Sequence, residues 1–144
     1  MTELKKYNIT WQEFDTDSRL LAEKIKPKGL IEGIVGIARG GLVATAIISN
    51  ALNIRNVKTV AVVSYNGQQQ MTAELLGSVD SIGDGNGWVF IDDLVDTGQT
   101  AKLIRKRYPK ALFASVYAKR AGMASTDLYA LEKNQEDWLI FPWE

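Results

Sequence analysis

The stretch WVFIDDLVDTGQT, residues 88–100, joins an apolar segment to a helix through a strongly polar loop. Residues 88–93 are typical of a buried strand, and the segment from about residue 100 to 108 has helical spacing and ends at Pro109. Three aspartates, two threonines and a glycine therefore stand at the carboxyl end of a strand, where a helix begins.

Other segments repeat this strand-and-helix pattern. The near-continuous apolar runs 31–38, 57–65 and 112–119 predict three further strands, and 42–53 predicts a buried helix. Helices between two of the strand pairs indicate an α/β fold with a parallel sheet covered on both faces. An earlier helix is predicted over 16–26, with Thr16 or Asp17 as its N-cap, and 137–143 is predicted as an edge or separate β segment because Pro142 cannot donate within a central ladder.

Composition limits the function classes. The chain has 144 residues, 46% of them hydrophobic, which favours one soluble domain, and no apolar run approaches the roughly 18 residues that would span a bilayer. The start lacks the apolar centre of a secretory signal and there is no cysteine, so we expect a cytoplasmic location. Seventeen basic residues balance seventeen acidic ones, so no nucleic-acid partner is expected.

The absence of histidine restricts the chemistry further. Without it, Ser-His-Asp and Cys-His catalysis and histidine metal sites are excluded, so acid–base work would fall to carboxylates, lysine or tyrosine. A metal would sit on oxygen ligands, and carboxylates of this kind suit Mg²⁺.

Polar groups at three strand ends are expected to share a cleft, because open α/β sheets bind ligands beyond the carboxyl ends of their strands. These groups are residues 38–41, residues 92–100 and Lys119. Thr97 to Thr100 predict a phosphate cradle of backbone N–H groups and hydroxyls, while Asp92 and Asp93 suit hydroxyls or the waters of a metal. A solvated turn with an N-cap is the alternative, but it explains only one of the three aspartates.

These residues resemble the phosphoribosyl-pyrophosphate (PRPP) motif of type I phosphoribosyltransferases. YNITWQEF, ARGGLV, SYN, YPKA, YAKRAG and DWLIFPWE occur in the order seen in bacterial xanthine-guanine phosphoribosyltransferases. The resemblance covers nearly the whole chain. It implies one domain over 1–144 with a mainly parallel sheet, a lid loop at about 66–87, a small hood at about 127–144, and a homodimer or homotetramer.

The resemblance also implies a role for each site residue. The 5′-phosphate of PRPP would bind Asp96, Thr97, Gly98, Gln99 and Thr100. The ribose hydroxyls and Mg²⁺ would bind Asp92 and Asp93, and pyrophosphate would bind Arg39, Gly40 and Gly41. On its own, the RGG sequence is better explained as an ordinary glycine turn with an exposed arginine.

The same resemblance implies that a 6-oxopurine, namely guanine, xanthine or hypoxanthine, receives the phosphoribosyl group on N9. Asp96 would lie against N7 as the proton acceptor, Lys119 would donate to the 6-oxo group, and Trp138 would stack on the ring. The carbonyls of Trp138 and Leu139 would face a 2-amino group. Without the resemblance, Lys119 fits a surface lysine equally well, and Trp138 fits the core better.

One departure from the family favours a second hypothesis. Where relatives carry a lid arginine for pyrophosphate, this chain has Met71, after Gln68, Gln69 and Gln70. A PRPP- or nucleotide-binding regulator with weak or no activity would need no such arginine. Asp96, Lys119 and Trp138 favour the enzyme, because a sensor of PRPP needs no residues that read a base.

Overall fold

A computed structural model describes residues 5–66, 71–77 and 79–144, although not the side chains of 64–66 and 71–73. Its centre is a six-stranded sheet with the strand order β4-β3-β2-β5-β6-β7. All neighbouring pairs are parallel except β3 with β4. The strands of this sheet are β2 (Gly33–Ala38), β3 (Val57–Asn66), β4 (Met71–Leu76), β5 (Trp88–Val95), β6 (Leu112–Lys119) and β7 (Leu128–Lys133). The predicted α/β class with a mainly parallel sheet is confirmed.

The four predicted strands correspond to β2, β3, β5 and β6, which lie side by side in the sheet. The first begins at Gly33 rather than residue 31, and β5 continues two residues beyond the predicted end at Asp93. The sequence prediction missed β4 and β7, which form the two edges. Residues 71–76 of the expected lid thus pair with β3 as an antiparallel strand, and 128–133 of the expected hood join the main sheet.

Helices cover both faces of the sheet. They are α1 (Trp11–Ile25), α2 (Gly41–Leu52) and α3 (Gln99–Arg107). Successive residues of a strand point to opposite faces, so Ile34 packs in one core with α1 and α2 while Val35 packs in the other with α3. None of the helices in the described ranges is long and apolar enough to cross a bilayer.

The predicted start of α1 is wrong. The helix begins at Trp11, because Thr10 caps it by accepting the N–H of Glu13 at 3.0 Å on its hydroxyl oxygen. Thr10 and Glu13 have capping-box spacing, a signal that precedes the residues chosen from the sequence. Asp17 lies inside the helix, where it is buried and accepts the hydroxyl of Tyr117 at 2.6 Å.

The two ends of the chain meet in a separate small sheet. Strand β1 (Lys6–Asn8) pairs in parallel with β8 (Trp138–Ile140), which agrees with the predicted separate β segment. Beyond β8, the rings of Phe141 and Trp143 stack at 4.8 Å between centroids, and Phe14 of α1 meets Trp143 edge-on at 4.9 Å. These contacts fix the last residues beside the carboxyl ends of the central strands.

Candidate active site

The parallel arrangement of β2, β5 and β6 brings the predicted polar groups to one edge of the sheet. Arg39 follows β2, Asp96 follows β5, and Lys119 ends β6. Because β5 lies between β2 and β6, its loop is the centre of the site. The expected convergence at this edge is therefore a consequence of strand order.

The loop after β5 has the geometry of an anion cradle. Gly98 has a φ of +88°, and the carbonyl of Gly98 accepts the N–H of Lys102 at 2.9 Å in the first turn of α3. A Cβ on Gly98 would lie 2.6 Å from Oγ of Ser125, so glycine is required by both backbone conformation and space. Residues 94–101 line a depression of about 170 Å³ at the start of this helix. Free N–H groups and the positive end of the helix dipole favour a phosphate there.

Asp92, which is buried, and Asp93, which is partly buried, form an acidic pair near the end of β5. Oδ1 of Asp92 accepts the backbone N–H of Asp93 at 2.9 Å. Burial raises the pKa of Asp92 well above its ordinary value, and the charge of Asp93 adds to the effect. Burial is also the main cause that raises the pKa of Asp93.

The acidic pair fits a divalent cation. In the part of the chain that the structure describes, neither Asp92 nor Asp93 forms an ion pair with a lysine or an arginine. Two adjacent carboxylates without a basic partner suit Mg²⁺, which takes one or two protein carboxylates and completes its coordination with water and substrate oxygens. No cluster of three or more acidic ligands occurs among the described residues, so such an ion would depend on substrate for the rest of its shell.

The loop after β2 packs directly against the acidic pair. A Cβ on Gly40 would lie 2.4 Å from Oδ2 of Asp93, and one on Gly41 would lie 2.3 Å from the carbonyl oxygen of Ile91. Only glycine permits this approach at both positions. Arg39 is exposed, follows a cis peptide bond from Ala38, and lines a depression of about 660 Å³ together with Gly40, Asp93, Trp143 and Glu144.

Lys119 lies on the other side of the β5 loop. It is only 6% exposed, and its Nζ donates to the carbonyl oxygen of Asp137 at 2.7 Å. The same Nζ is 3.8 Å from Oδ2 of Asp96. The structure thus brings Lys119, Asp96 and Asp137 together. Among the described residues, no hydrogen bond or ion pair joins these three to Arg39.

Trp138 and Leu139 differ in exposure. Trp138 is 56% exposed. Without the family resemblance, its apolar surroundings in the sequence predict a core residue instead. Leu139 is buried in the core shared with α1 and α2. An exposed aromatic ring next to Lys119's partner Asp137 is a suitable platform for a flat ligand.

Sequence reasoning missed Gln135 and the final residues of the chain. Nε2 of Gln135 donates to Oδ1 of Asp96 at 2.7 Å, although 39 residues separate them. Glu144 lines the depression of Arg39, and its charge contributes to raising the pKa of Asp93. No local pattern indicates either contact, because both depend on how the β7–β8 turn and the aromatic end of the chain pack.

The part of the predicted lid that distinguishes this chain from its relatives lies outside the described residues. This is true of Gln68, Gln69 and Gln70 and of the side chain of Met71. The backbone of Met71 opens β4 and pairs with Asn66 of β3. The loss of a lid contact with pyrophosphate therefore stays a prediction from the sequence.

Comparison with known proteins gives consistent similarities. The family model described as "Phosphoribosyl transferase domain" matches residues 11–144. The xanthine-guanine phosphoribosyltransferase of Nitratidesulfovibrio vulgaris (strain DP4) is 43% identical over 141 residues, which cover 97% of this chain and 85% of the relative. The enzyme of the same name from Cereibacter sphaeroides is 42% identical over 146 residues, with 97% and 87% coverage. A purine phosphoribosyltransferase structure from Pyrococcus horikoshii superposes with a TM-score of 0.79 at 27% identity, covering 96% and 94% of the two chains. The family resemblance read from the sequence is confirmed.

Proposed function

Since the chain belongs to the phosphoribosyl transferase domain family, we propose that it transfers the 5-phosphoribosyl group of PRPP to N9 of a 6-oxopurine. The products are the purine nucleoside monophosphate and pyrophosphate. Relatives of more than 40% identity over nearly the whole chain bear the name xanthine-guanine phosphoribosyltransferase. The observation that carries the proposal is the placement of an anion cradle, an acidic pair and a buried lysine at one edge of the sheet.

PRPP binds along the β5 loop in this proposal. Its 5′-phosphate lies on the segment Asp96–Thr100, where backbone N–H groups, two hydroxyls and the start of α3 favour an anion. The ribose hydroxyls donate to Asp92 and Asp93, whose carboxylates are acceptors. The need for glycine at position 98 lets the cradle loop pack closely against Ser125.

Mg²⁺ fits the carboxylates of Asp92 and Asp93. When bound, it neutralises charge on the pyrophosphate as that group departs. The backbone N–H groups of Gly40 and Gly41 and the guanidinium of Arg39 stabilise the same developing charge from the β2 side. Because Gly40 lies against Asp93, the ribose side and the pyrophosphate side of PRPP share one wall.

The base binds between Lys119 and Trp138. An ammonium has donors and no acceptor, so Lys119 favours the 6-oxo group and disfavours adenine, whose 6-amino group is itself a donor. Asp96 accepts a hydrogen bond or a proton from N7 as N9 attacks the anomeric carbon. The indole of Trp138 stacks on the ring, and the carbonyls of Trp138 and Leu139 face the 2-position.

An assay with purified protein, PRPP and Mg²⁺ tests the proposal. Guanine, xanthine and hypoxanthine are supplied separately, with adenine as the matched base that lacks the 6-oxo group. We expect turnover with at least one of the first three and little with adenine. No turnover with any base would contradict the proposal and favour a PRPP-binding regulator, which the loss of the lid arginine at Met71 would suit.

The oligomeric state is a separate proposal. The family resemblance suggests a homodimer or homotetramer, and light scattering of the purified protein distinguishes both from a monomer. A monomeric protein with full turnover would show that assembly is not needed for activity.

A further inference from the structure

The turn of residues 134–137 between β7 and β8 contacts both charged groups assigned to the base. Nζ of Lys119 donates to the Asp137 carbonyl at 2.7 Å, and Nε2 of Gln135 donates to Oδ1 of Asp96, also at 2.7 Å. The remaining separation, Nζ of Lys119 to Oδ2 of Asp96, is 3.8 Å. A direct charged hydrogen bond would measure about 2.7–2.9 Å, so the two opposite charges are neighbours without being bonded.

Opposite charges at this separation attract, and water competes little at Lys119 because the residue is only 6% exposed. A direct ion pair would occupy a carboxylate oxygen of Asp96 and a donor of Lys119. Both groups are assigned to the purine, so a closed pair would oppose base binding. Asp137 and Gln135 on the turn give each charged group another hydrogen-bond partner, so the ammonium and the carboxylate do not bond directly.

The amide of Gln135 is held in one orientation by its two neighbours. Its Oε1 accepts the backbone N–H of Ala121 at 2.8 Å, which can only donate, and its Nε2 donates to a carboxylate oxygen of Asp96. Ala121 belongs to a short helical segment that packs on the β5 loop, since a Cβ on Gly122 would lie 2.3 Å from Cγ1 of Val95. The turn itself is closed by the N–H of Asp137 on the carbonyl of Asn134 at 3.1 Å.

We propose that Gln135 is a positioning residue for base recognition, which holds the Asp96 carboxylate away from the Lys119 ammonium. Both groups then stay available to a purine, Asp96 at N7 and Lys119 at the 6-oxo group. The inference rests on the proposed function. Gln135 acts through the side chain of Asp96 and, in the described structure, has no hydrogen bond to residues 97–100 or to the acidic pair.

The first test variant is Gln135→Met, which keeps the length of the side chain and removes its amide. We expect the Kd for GMP and the KM for guanine to rise about tenfold, the lower end for loss of a charge-assisted hydrogen bond at an exposed side chain. The Kd for ribose 5-phosphate, which has no base, should not change. Calorimetric titration of full-length protein with each ligand in the presence of Mg²⁺ measures the difference.

Gln135→Glu is the second variant. It keeps an acceptor for Ala121 but presents a like charge to Asp96, so the loss of GMP affinity should exceed that of Gln135→Met. Gln12, exposed on α1, provides the matched controls Gln12→Met and Gln12→Glu, which should bind both ligands as the wild type does. A crystal structure of Gln135→Met should show Nζ of Lys119 within about 3.0 Å of an Asp96 oxygen.

The outcomes separate this inference from the function on which it rests. A wild type that binds GMP, together with a Gln135→Met variant that binds it equally well, would overturn the inference alone. Equal weakening of GMP and ribose 5-phosphate would also overturn it, because it would show a general disturbance of the site. An unchanged 3.8 Å separation in the variant structure would overturn it without reference to activity. A wild type that neither binds GMP nor turns over any base would overturn the proposed function and this inference with it.

Discussion

Asp96 lies at the start of the loop after β5 and 3.8 Å from Nζ of Lys119, and its carboxylate is about half exposed. Asp96→Asn preserves size and an acceptor for Gln135 but removes the negative charge. We expect kcat to fall by about 10²–10⁴-fold, the usual contribution of a general acid–base group. The melting temperature should change little, because an exposed carboxylate adds little to stability. Steady-state kinetics and thermal unfolding of the same samples measure both. Unchanged turnover would remove Asp96 from the mechanism.

Lys119 determines which base is accepted, according to the proposal. Lys119→Met retains an aliphatic side chain and removes the ammonium, so we expect kcat/KM for guanine to fall roughly 10–100-fold while adenine is little affected. Comparison of the two bases measures the lost discrimination. Lys28→Met, at an exposed residue that follows α1, is the control for loss of a positive charge. Equal losses for guanine and adenine would contradict a role for Lys119 at the 6-oxo group.

At the scale of single elements, the β5 loop depends on Gly98. Gly98→Ala would force a Cβ into the left-handed region at φ +88° and against Ser125. We expect a loss of about 1–3 kcal/mol in the free energy of unfolding and a weaker Kd for PRPP. The matched control is Gly29→Ala, which has a φ of +100° but no atom within 4 Å of the added Cβ.

Denaturant unfolding and PRPP titration of both glycine variants distinguish strain from function. Both should lose stability, because both place alanine at positive φ. Only Gly98→Ala should bind PRPP less tightly. Equal PRPP affinity in the two variants would show that the loop does not hold the phosphate.

The strands that the sequence predicted are the four that lie inside the sheet; β2, β5 and β6 are buried along most of their length, whereas β3 is partly exposed. Strands β2, β3, β5 and β6 lie inside the sheet and carry near-continuous apolar runs, which periodicity detects. The edge strands β4 (MTAELL) and β7 (LYALEK) mix polar and apolar residues, so no apolar run marks them. The spacing of Thr10 and Glu13 indicates the true start of α1. The prediction was wrong because it placed the N-cap at a later polar residue.

In the site, too, the residues at strand ends could be predicted from the sequence, whereas those brought in from distant segments could not. Asp92, Asp96 and Lys119 come directly after or at the end of predicted strands, so topology alone places them at one edge. Gln135 and Glu144 reach this edge from a turn and from an aromatic cluster far along the chain. Such contacts depend on three-dimensional packing that no periodicity encodes.

At the scale of the whole molecule, the acidic pair links stability to pH and to metal. Burial raises the pKa of Asp92 in the folded protein above its unfolded value of about 3.9. The folded state therefore holds this proton more tightly than the unfolded state. The resulting stability is fully present below the unfolded pKa and is lost as pH rises through the raised folded pKa. In metal-free protein at neutral pH, the pair is consequently a source of instability.

Asp92→Asn should relieve this instability, because it removes one buried charge and keeps the acceptor for the N–H of Asp93. In metal-free buffer at pH 7 we expect its Tm to exceed that of the wild type, because the variant carries no charge at this buried position. The difference should shrink as pH falls toward 4. Mg²⁺ should raise the Tm of the wild type more than that of the variant, because only the wild type offers both carboxylates. Thermal unfolding across pH, with and without Mg²⁺, measures these effects, and Glu136→Gln is the exposed control. A Tm difference that is absent at pH 7, or constant with pH, would show that Asp92 does not carry the instability.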